Sequence, residues 1–474
     1  MIDRDEPRFA EASREMIERG NYVVPYFNNQ LRLDKPPLTY WAQVASYRIF
    51  GENDFAARFP SAIAAALTAV AIFSWGRRID AVRAGWWAAI IFTLSLQTFV
   101  HAKAAVADMW LVLFVTLAYW TAYELLCGTK AEHRTFPWWW IFYLSLALGF
   151  LAKGPIAWTP VVTVAFVIIY TRDWQQLRCF KFVRGILLTL VVVALWGIPG
   201  LIQTDGKFLS VGIGRHVIGR SFTTMEGHGA GSLGMYLLLM PFYFVTVFIS
   251  FFPWSIKLPW LLRKLWRNRS AGVDAPGYSG NLIDSYLVAG IAIIFIIFTL
   301  VKTKLPHYTL PAFPLLALLL ARHWQGAAVL RAPQSAAASR RPLFASIAVT
   351  TACMWVAIAL VVPPMVARFF PAYQLFQQSR ASLQRNMQFA SVEFDEPSLV
   401  WYFRSRVNGF LTPLNKRRAT EFMNSSGPHF VVLPTTTATS IFSTPPAEWR
   451  FFRTNGFNIA KGKRVDLTLV LKPQ

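Results

Sequence analysis

The stretch Asp3–Gly51, DRDEPRFAEASREMIERGNYVVPYFNNQLRLDKPPLTYWAQVASYRIFG, contains two short helical patterns, each with Pro at its start and Gly at its end. In the first, Pro7 suits a first helical position and Gly20 suits a C-terminal cap; in the second, a proline pair opens the helix and Gly51 closes it. Neither helix is long enough to cross a bilayer, which takes about 20 residues. Each has an apolar side, so we expect both to lie at a membrane surface.

Charged residues stand at the start of both helical patterns. Asp5 and Glu6 precede the first helix, and Asp34 and Lys35 precede the second. A helix N-terminus presents free backbone N–H groups and the positive end of the helix dipole, which suits a phosphate group. Lys35 adds a full positive charge at the second helix start. The alternative interpretation is local, because Asp5 or Glu6 could simply cap the first helix.

The composition indicates a polytopic helical membrane protein. Of the 474 residues, 55% are hydrophobic and only 15% are charged, and the apolar residues form several long runs. The net charge of +23 comes from Lys and Arg residues scattered between these runs, a distribution typical of the positive-inside rule. We therefore expect membrane lipids, and no nucleic acid, as partners. The three cysteines have no metal-binding or redox spacing.

Two domains are predicted. Residues 1–365 form a membrane-embedded domain, with a first outside loop at 1–58 and about ten transmembrane helices over 59–365. Residues 366–474 form a small α/β domain, because short strand-like and helix-like segments replace the apolar runs. The Lys and Arg asymmetry between alternate loops places the first loop and this domain on the same, outer side. The apolar segments lie at approximately 59–76, 84–100, 108–126, 138–152, 155–171, 185–203, 233–256, 284–301, 308–321 and 343–365.

The first outside loop has no apolar segment before it, and the chain begins without the pattern of a signal peptide. A loop outside the cytoplasm must be carried across the membrane. We therefore expect a first transmembrane helix upstream of residue 1, and a distinct route of insertion is the alternative.

Several polar residues fall on the outer ends of the predicted helices, where topology disfavours cations. Lys153 lies in FLAKGP, between two helices, and Asp108 follows HAKAAVA at the outer end of another. Each lysine taken singly could snorkel to the interface. As a set with Asp5 and Lys35, these residues predict a shared polar site at one membrane face. The turn KTKLPHY contributes the remaining candidates, Lys302, Lys304, His307 and Tyr308.

The longest internal outside loop, 204–232, adds Arg220 and His228, but its spacing matches no recognised metal signature. Asp3 and Asp5 form a D-x-D pattern that is too short to be specific. The sequence has no P-loop and no G-x-G-x-x-G after a strand, so we expect no ATP and no nucleotide sugar. A substrate used outside the cytoplasm must then carry its own activation, as a lipid phosphate ester does.

Together these motifs resemble a known family. DRDEPRFAEASREM followed by DKPPLTYW, with LAKGP, the Asp108 helix start, the 216–220 segment and KTKLPHY, resembles the lipid-carrier-dependent glycosyltransferases of the GT-C fold. The similarity is greatest to bacterial aminoarabinose transferases that modify lipid A, and protein O-mannosyltransferases are more distant. The resemblance implies an all-α polytopic membrane protein, a GT-C-like helical bundle, with interfacial helices in the first outside loop and a small C-terminal α/β extracytoplasmic domain.

The resemblance also implies an activity, the transfer of a hexosyl or pentosyl group from a polyprenyl-phosphate-linked sugar. The acceptor would be a hydroxyl or phosphate of a lipid A-like glycolipid, another envelope glycan or a protein. The site would face outward from the bacterial inner membrane. No cofactor is certain, but some members hold a divalent metal, for which Asp34 and His228 are the candidates here. Asp34 stands where aminoarabinose transferases commonly have Glu.

The residue types predict a mechanism. Glycosyl transfer passes through an oxocarbenium-like transition state, and a phosphate leaving group gains charge as its bond breaks. We predict that Asp5 is the general base, and Glu6 is a further catalytic candidate. The resemblance implies that Asp108 is a second catalytic carboxylate. One base and a phosphate leaving group suit direct, inverting displacement, although Glu6 leaves a carboxylate nucleophile open. The predicted donor phosphate-binding residues are Lys35, Lys153, Arg220, Lys302, Lys304, His307 and Tyr308.

Two other classes are the alternatives. A transporter or flippase of lipid-linked sugars would also need an apolar bundle and phosphate-binding cations. Its polar residues should lie near the bilayer midplane, often on broken helices, whereas the candidates here gather at one face. A structural or scaffold protein would not explain the clustering of acids and lysines at helix starts.

Overall fold

The computed structural model describes residues 5–127, 136–219, 232–270, 280–329, 334–458 and 462–473 of the chain. Within these ranges the protein is mainly helical. The first loop contains α1 (Asp5–Arg19), β1 (Tyr26–Phe27), β2 (Gln30–Leu31) and α2 (Leu38–Phe50). The following helices are α3 (Asp54–Ile79), α4 (Val82–Leu94), α5 (Leu96–Ala102), α6 (Asp108–Cys127), α7 (Trp138–Lys153), α8 (Thr159–Thr171), α9 (Phe182–Gln203), α10 (Leu233–Leu238), α11 (Phe242–Ser250), α12 (Leu258–Ser270), α13 (Gly280–Leu300), α14 (Phe313–Val329) and α15 (Gln334–Ala367).

Five helices in the described ranges are long and apolar enough to cross a membrane, which confirms a polytopic helical protein. They are Asp54–Ile79, Asp108–Cys127, Phe182–Gln203, Leu282–Leu300 and Phe344–Ala367. Each of the ten predicted apolar segments is helical in whole or in part. The predicted segment 233–256 is broken into short pieces, with Pro241 and Pro253 at the joints, because proline has no N–H for the helical ladder.

Helix α6 lies at the centre of the membrane part. Residues on every side of it are buried, among them the consecutive residues Leu111, Val112, Leu113 and Phe114. It packs against α3, α7, α8 and α13, and against a short 3₁₀ turn at Pro306–Ala312. The first residue of α6 therefore lies where the ends of several elements converge.

The ends of the two helices in the first loop follow their predicted signals. Gly20 and Gly51 follow α1 and α2 with φ of 62° and 74°, a left-handed range that side chains avoid. Between the helices, Asn28 and Asn29 have positive φ and make the two-residue turn of the β1–β2 hairpin. Pro7 is the third residue of α1 and not the first. Local sequence thus determines where these helices stop.

Helix α1 is covered by protein on both its apolar and its charged side. Its apolar residues Phe9, Ala12 and Met16 belong to a buried cluster with residues of α2. Its charged residues Glu11 and Arg14 are also buried, at 0% and 2% exposure. The polar side of the helix is covered because the C-terminal domain packs on it. The structure thus shows that the charged side of α1 is covered by protein, and its position at a membrane surface stays a prediction.

The C-terminal domain contains a five-stranded mixed sheet in the order β4-β3-β5-β7-β6. Strand β3 pairs in parallel with β4 and β5, whereas β7 pairs antiparallel with β5 and β6. The predicted strands HFVVLP and VDLTLVLK lie in β5 and β7, which confirms the α/β character of this domain. Its elements are α16 (Pro371–Ser379), β3 (Gln388–Val392), α17 (Pro397–Arg404), β4 (Leu411–Leu414), α18 (Lys416–Asn424), β5 (His429–Pro434), α19 (Thr435–Ile441), β6 (Arg450–Asn458) and β7 (Lys463–Lys472).

A single hydrophobic cluster joins the first loop to the C-terminal domain. Ala10 of α1, Tyr47 of α2 and Ala57 of α3 are buried in the same cluster as Phe389 of β3 and Trp401 of α17. Tyr47 and Trp401 stack with ring centroids 6.2 Å apart. The C-terminal domain therefore shares its core with the segment that carries the predicted catalytic residues.

Candidate active site

A cavity of about 1190 Å³ lies where the starts of α1, α3 and α6 meet the ends of α5 and α7. Most of its wall is aromatic or aliphatic, with Phe59, Phe99, Trp158 and Val362 as examples. Such a wall suits a lipid chain, whereas the charged groups suit a polar headgroup. The titratable residues on the wall are Asp5, Glu6, Lys35, Asp54, Arg58, His101, Lys103, Asp108, Lys153, His307 and Tyr308.

Asp108 and Lys153 form an ion pair at two helix ends. Asp108 is the first residue of α6 and is buried, and Lys153 Nζ donates to its Oδ1 at 2.5 Å. Lys153 is the last residue of α7, where a cation interacts favourably with the negative end of the helix dipole. Gly154 follows with φ of 83°, so the chain turns away and leaves Lys153 at the helix end. His307 Nε2 lies 3.9 Å from the same Asp108 oxygen.

His307 is held neutral in this cluster. Burial lowers the pKa of His307 to about 3; Asp108 opposes this shift, whereas the charges of Lys153 and Lys35 add to it. The His307 ring lies 5.2 Å from the ring of His101, centroid to centroid. A neutral imidazole can donate one hydrogen bond and accept another. His307 can therefore offer hydrogen bonds to the cavity, whereas Lys35, Lys153 and Arg58 carry positive charge on its wall.

Asp5 is the most exposed of the three predicted catalytic carboxylates. It is the first residue of α1, and its side chain is 57% exposed. Arg8, one helical turn further on, places Nη1 3.7 Å from Asp5 Oδ1. An exposed carboxylate on the cavity wall can accept a proton from a bound molecule. The geometry therefore leaves Asp5 available for the chemistry that the sequence predicts.

Glu6 is engaged by neighbouring elements. Arg58 donates to both of its carboxylate oxygens at 2.8 Å, and the backbone N–H of Ala105 donates to Oε1 at 2.9 Å. Glu6 is 2% exposed. These contacts tie the start of α1 to α3 and to the turn before α6. These contacts hold the first turn of α1 in place, and a catalytic role for Glu6 stays a prediction.

Asp34 lies against an arginine. Arg32 Nη2 donates to Asp34 Oδ2 at 3.3 Å, and Arg32 Nε donates to the Tyr40 hydroxyl at 2.9 Å. Across the described ranges, no group of three His, Cys, Asp or Glu residues could hold a metal ion. His228 lies outside those ranges. The residues described do not by themselves fit a metal, and the Asp34–His228 pair stays a prediction.

Only some of the other predicted phosphate-binding residues line the cavity. Lys35 and Tyr308 line the cavity with Asp5, Asp108, Lys153 and His307. Lys302 and Lys304 do not line it: Lys302 is exposed, and Lys304 Nζ donates to the carbonyl oxygens of Phe298 and Thr299 at the end of α13. Arg220 lies outside the described residues.

The predicted site residues did not include Asp54, Arg58, His101 and Lys103 on the cavity wall, or Arg32 and Tyr40 beside Asp34. The sequence could have indicated His101, because this residue opens the HAKAAVA segment that leads to Asp108. It could also have indicated Arg32, which stands two residues before Asp34 in the same loop. No sequence pattern indicates Arg58, because an arginine near the start of an apolar helix is common at any membrane interface.

Comparison with known proteins gives independent evidence. A family model described as dolichyl-phosphate-mannose-protein mannosyltransferase matches residues 34–198. An undecaprenyl phosphate-alpha-4-amino-4-deoxy-L-arabinose arabinosyl transferase of Edwardsiella ictaluri is 29% identical over 68% of this chain and 55% of its own length. The corresponding enzyme of Enterobacter sp. is 30% identical over 67% of this chain and 54% of its own length. An uncharacterized protein of Aquifex aeolicus is 26% identical over 67% and 58%.

The fold has a solved counterpart. The crystal structure of ArnT from Cupriavidus metallidurans bound to undecaprenyl phosphate superposes with a TM-score of 0.74, at 19% identity, over 98% of this chain and 93% of that one. The chain spans little more than half the length of the curated relatives it matches, from 54% to 58%. In its sequence motifs and in its fold, the chain is similar to the lipid-carrier-dependent glycosyltransferases of the GT-C fold, as its first loop predicts.

Proposed function

We propose that this protein transfers a glycosyl group from a polyprenyl-phosphate-linked sugar to a hydroxyl or phosphate on an extracytoplasmic acceptor at the bacterial inner membrane. One observation carries the proposal. Asp5, Lys35 and the Asp108–Lys153 pair line a single cavity whose wall is otherwise mainly apolar. That combination suits a lipid carrier with a charged headgroup beside a base.

The cations support binding of the donor phosphate. Lys153 Nζ is held by Asp108 at 2.5 Å, and Lys35 lies near enough to His307 to lower its pKa. Neutral His307 and Tyr308 can add hydrogen bonds. Undecaprenyl phosphate, the lipid bound by the C. metallidurans ArnT, has the chemistry that this cavity would accommodate.

Transfer then needs a base and a stabilised leaving group. Asp5 accepts the proton of the acceptor hydroxyl as its oxygen attacks the anomeric carbon. The bond from that carbon to the phosphate oxygen breaks, and Lys35 and Lys153 stabilise the growing negative charge. Both carboxylate oxygens of Glu6 are engaged, so we propose direct displacement with inversion. Polar groups at helix ends also favour an enzyme over a transporter, whose site would lie near the midplane.

The decisive test is Asp5→Asn in purified protein reconstituted in nanodiscs. Donor affinity and single-turnover transfer are measured separately, with lipid-linked hexose and pentose donors and with glycolipid, glycan and peptide acceptors. We expect donor affinity to persist and transfer to fall roughly 10²–10⁴-fold, the usual loss of a general base. The matched control is Asp466→Asn, which changes an exposed carboxylate in the C-terminal sheet.

The capping alternative predicts the opposite result, because Asn caps a helix about as well as Asp. If Asp5→Asn transfers sugar at the parent rate, Asp5 caps the helix and is not the general base. Loss of donor binding with unchanged transfer from the bound complex would assign Asp5 to assembly of the site.

A further inference from the structure

The C-terminal domain reaches α1 through a buried arginine. Arg404, the last residue of α17, contacts Glu11 through Nη1 and donates from Nη2 to Glu18 Oε2 at 2.7 Å. Its Nη1 also lies 3.8 Å from Glu15 Oε1. The three carboxylates follow one another on one side of α1, with the spacing of successive turns. A single guanidinium from the other domain therefore spans about two turns of the helix.

A second arginine completes the contact from the α1 side. The Arg14 guanidinium lies 4.0 Å above the Trp401 ring, and Arg14 Nη1 donates to the Trp401 carbonyl oxygen at 3.1 Å. Arg14 also pairs with Glu11 at 2.6 Å. Burial raises the pKa of Glu11 to about 7, while Arg14 and Arg404 act in the opposite direction. The buried charge of Glu11 thus depends on cations that come from both domains.

The same short helix also holds α3. Trp401 Nε1 donates to Asp54 Oδ1 at 2.8 Å, and Asp54 is the first residue of α3. One turn further along α3, Arg58 holds Glu6. Polar contacts therefore link each of α17, α1 and α3 to the other two. Asp5 is the chain neighbour of Glu6, which makes the contact between α1 and α3.

The hairpin of the first loop provides an independent contact with the C-terminal domain. The Asn28 side-chain amide donates to the Leu411 carbonyl oxygen at 2.8 Å, and the Leu411 N–H donates to Asn28 Oδ1 at 2.8 Å. Asn28 thereby pairs with the start of β4 as a neighbouring strand would. The C-terminal domain therefore contacts the first loop at two separate places, at α1 and at the β1–β2 hairpin.

We infer that Arg404 is a positioning residue for Asp5, and that the C-terminal domain sets the placement of the catalytic carboxylate through α1. This inference rests on the proposed function. Glu11 is six residues from Asp5, or about 9 Å along the helix axis at 1.5 Å per residue. A small tilt of α1 at Glu11 therefore displaces Asp5, and a misplacement of about 1 Å can cost roughly 10²-fold in rate. Lys35, Asp108 and Lys153 lie outside α1, so we expect them to keep their places.

The test compares Arg404→Gln and Arg404→Lys with Arg453→Gln and Arg453→Lys. Arg453 pairs with Asp466 on the exposed side of the same domain's sheet, so it is a matched control. Donor affinity is measured with undecaprenyl phosphate, transfer by single turnover, and α1 by hydrogen exchange of residues 5–19. Exchange of β5 and β7 reports whether the domain is folded.

For Arg404→Gln we expect transfer to fall 10- to 100-fold, affinity for undecaprenyl phosphate to stay within about twofold, and exchange in residues 5–19 to rise while β5 and β7 stay protected. Lysine carries the charge but lacks the guanidinium fork, so Arg404→Lys should show a smaller change of the same kind. The Arg453 variants should match the parent protein.

Equal transfer by Arg404→Gln and Arg453→Gln would overturn the inference. Faster exchange throughout β5 and β7 in both Arg404 variants would overturn it too, because Arg404 would then serve folding of its own domain. Failure of the proposed function looks different. A parent protein that transfers no lipid-linked sugar contradicts the activity, while faster exchange confined to residues 5–19 would still show that Arg404 places α1.

Discussion

Two charged clusters meet α1, one at its start and one along its side. At the start, Asp5 and the Asp108–Lys153 pair line an apolar cavity. Along the side, Glu11, Arg14 and Arg404 are covered by side chains of two domains. A charge on a cavity wall can change partners when a ligand enters, whereas a covered charge is bound to one arrangement. The two clusters therefore differ in their surroundings, because the first borders the cavity and the second is covered by protein.

The largest effect that separates the clusters should come from Lys153→Met. It removes a cation whose partner charge grows in the transition state and leaves Asp108 buried without it. We expect transfer to fall roughly 10²–10³-fold, the range found when one stabilising donor is lost. Affinity for undecaprenyl phosphate should fall as well, because the ground-state phosphate is already charged. Arg404→Gln should differ, because its transfer should fall while its affinity for undecaprenyl phosphate is retained.

The control for this variant is Lys302→Met, an exposed lysine that does not line the cavity. Its affinity and transfer should match those of the parent. Parent-like affinity in Lys153→Met would mean that Lys153 serves only to hold Asp108. Lys153 would then serve placement, as we infer for Arg404, and the two clusters would not differ in role.

An intermediate effect should appear with pH, through His307. Its pKa of about 3 in the folded protein lies below the ordinary 6.5, so the unfolded chain takes up a proton that the folded protein refuses. Stability from this group is fully present above pH 6.5 and is lost as the pH falls from 6.5 toward 3. At pH 5 the parent should have lost about 2 kcal/mol, since one pKa unit is worth about 1.4 kcal/mol.

His307→Gln removes this titration. Between pH 7 and pH 5, the melting temperature of the variant in detergent should fall less than that of the parent. Equal falls would show that the pKa of His307 is the same in the folded and the unfolded chain. A smaller fall in the parent than in the variant would show that the folded protein favours protonated His307, which would then belong with the cations of the cavity.

The smallest effect on transfer should come from Lys304→Met. Lys304 Nζ donates to the carbonyl oxygens of Phe298 and Thr299, in the last turn of α13, and faces away from the cavity. We expect the free energy of unfolding to fall by about 1.5–3 kcal/mol, the range for hydrogen bonds that involve a charged group. Transfer and affinity for undecaprenyl phosphate should be unchanged. A selective loss of affinity would return Lys304 to the donor site that the KTKLPHY motif predicts.

Part of the candidate site could be predicted from the sequence because its residues stand at helix ends. Lys35 follows a loop and precedes a proline pair, and Lys153 precedes Gly154, so both positions are readable from local signals. Lys304 could not be separated from them, because it has the same residue type in an equally plausible turn. Only its contacts with the carbonyl oxygens of α13 show that it points elsewhere.

The sequence by itself determined the apolar segments, the ends of α1 and α2, the strands HFVVLP and VDLTLVLK and the order of the polar motifs. These features depend on residues close together in the chain, where periodicity, proline and glycine act directly. Only the tertiary structure decided that the charged side of α1 is buried, because Arg404 lies nearly 400 residues away from Glu11. A local pattern shows which side of a helix is polar; the partner that covers that side comes from a distant part of the chain.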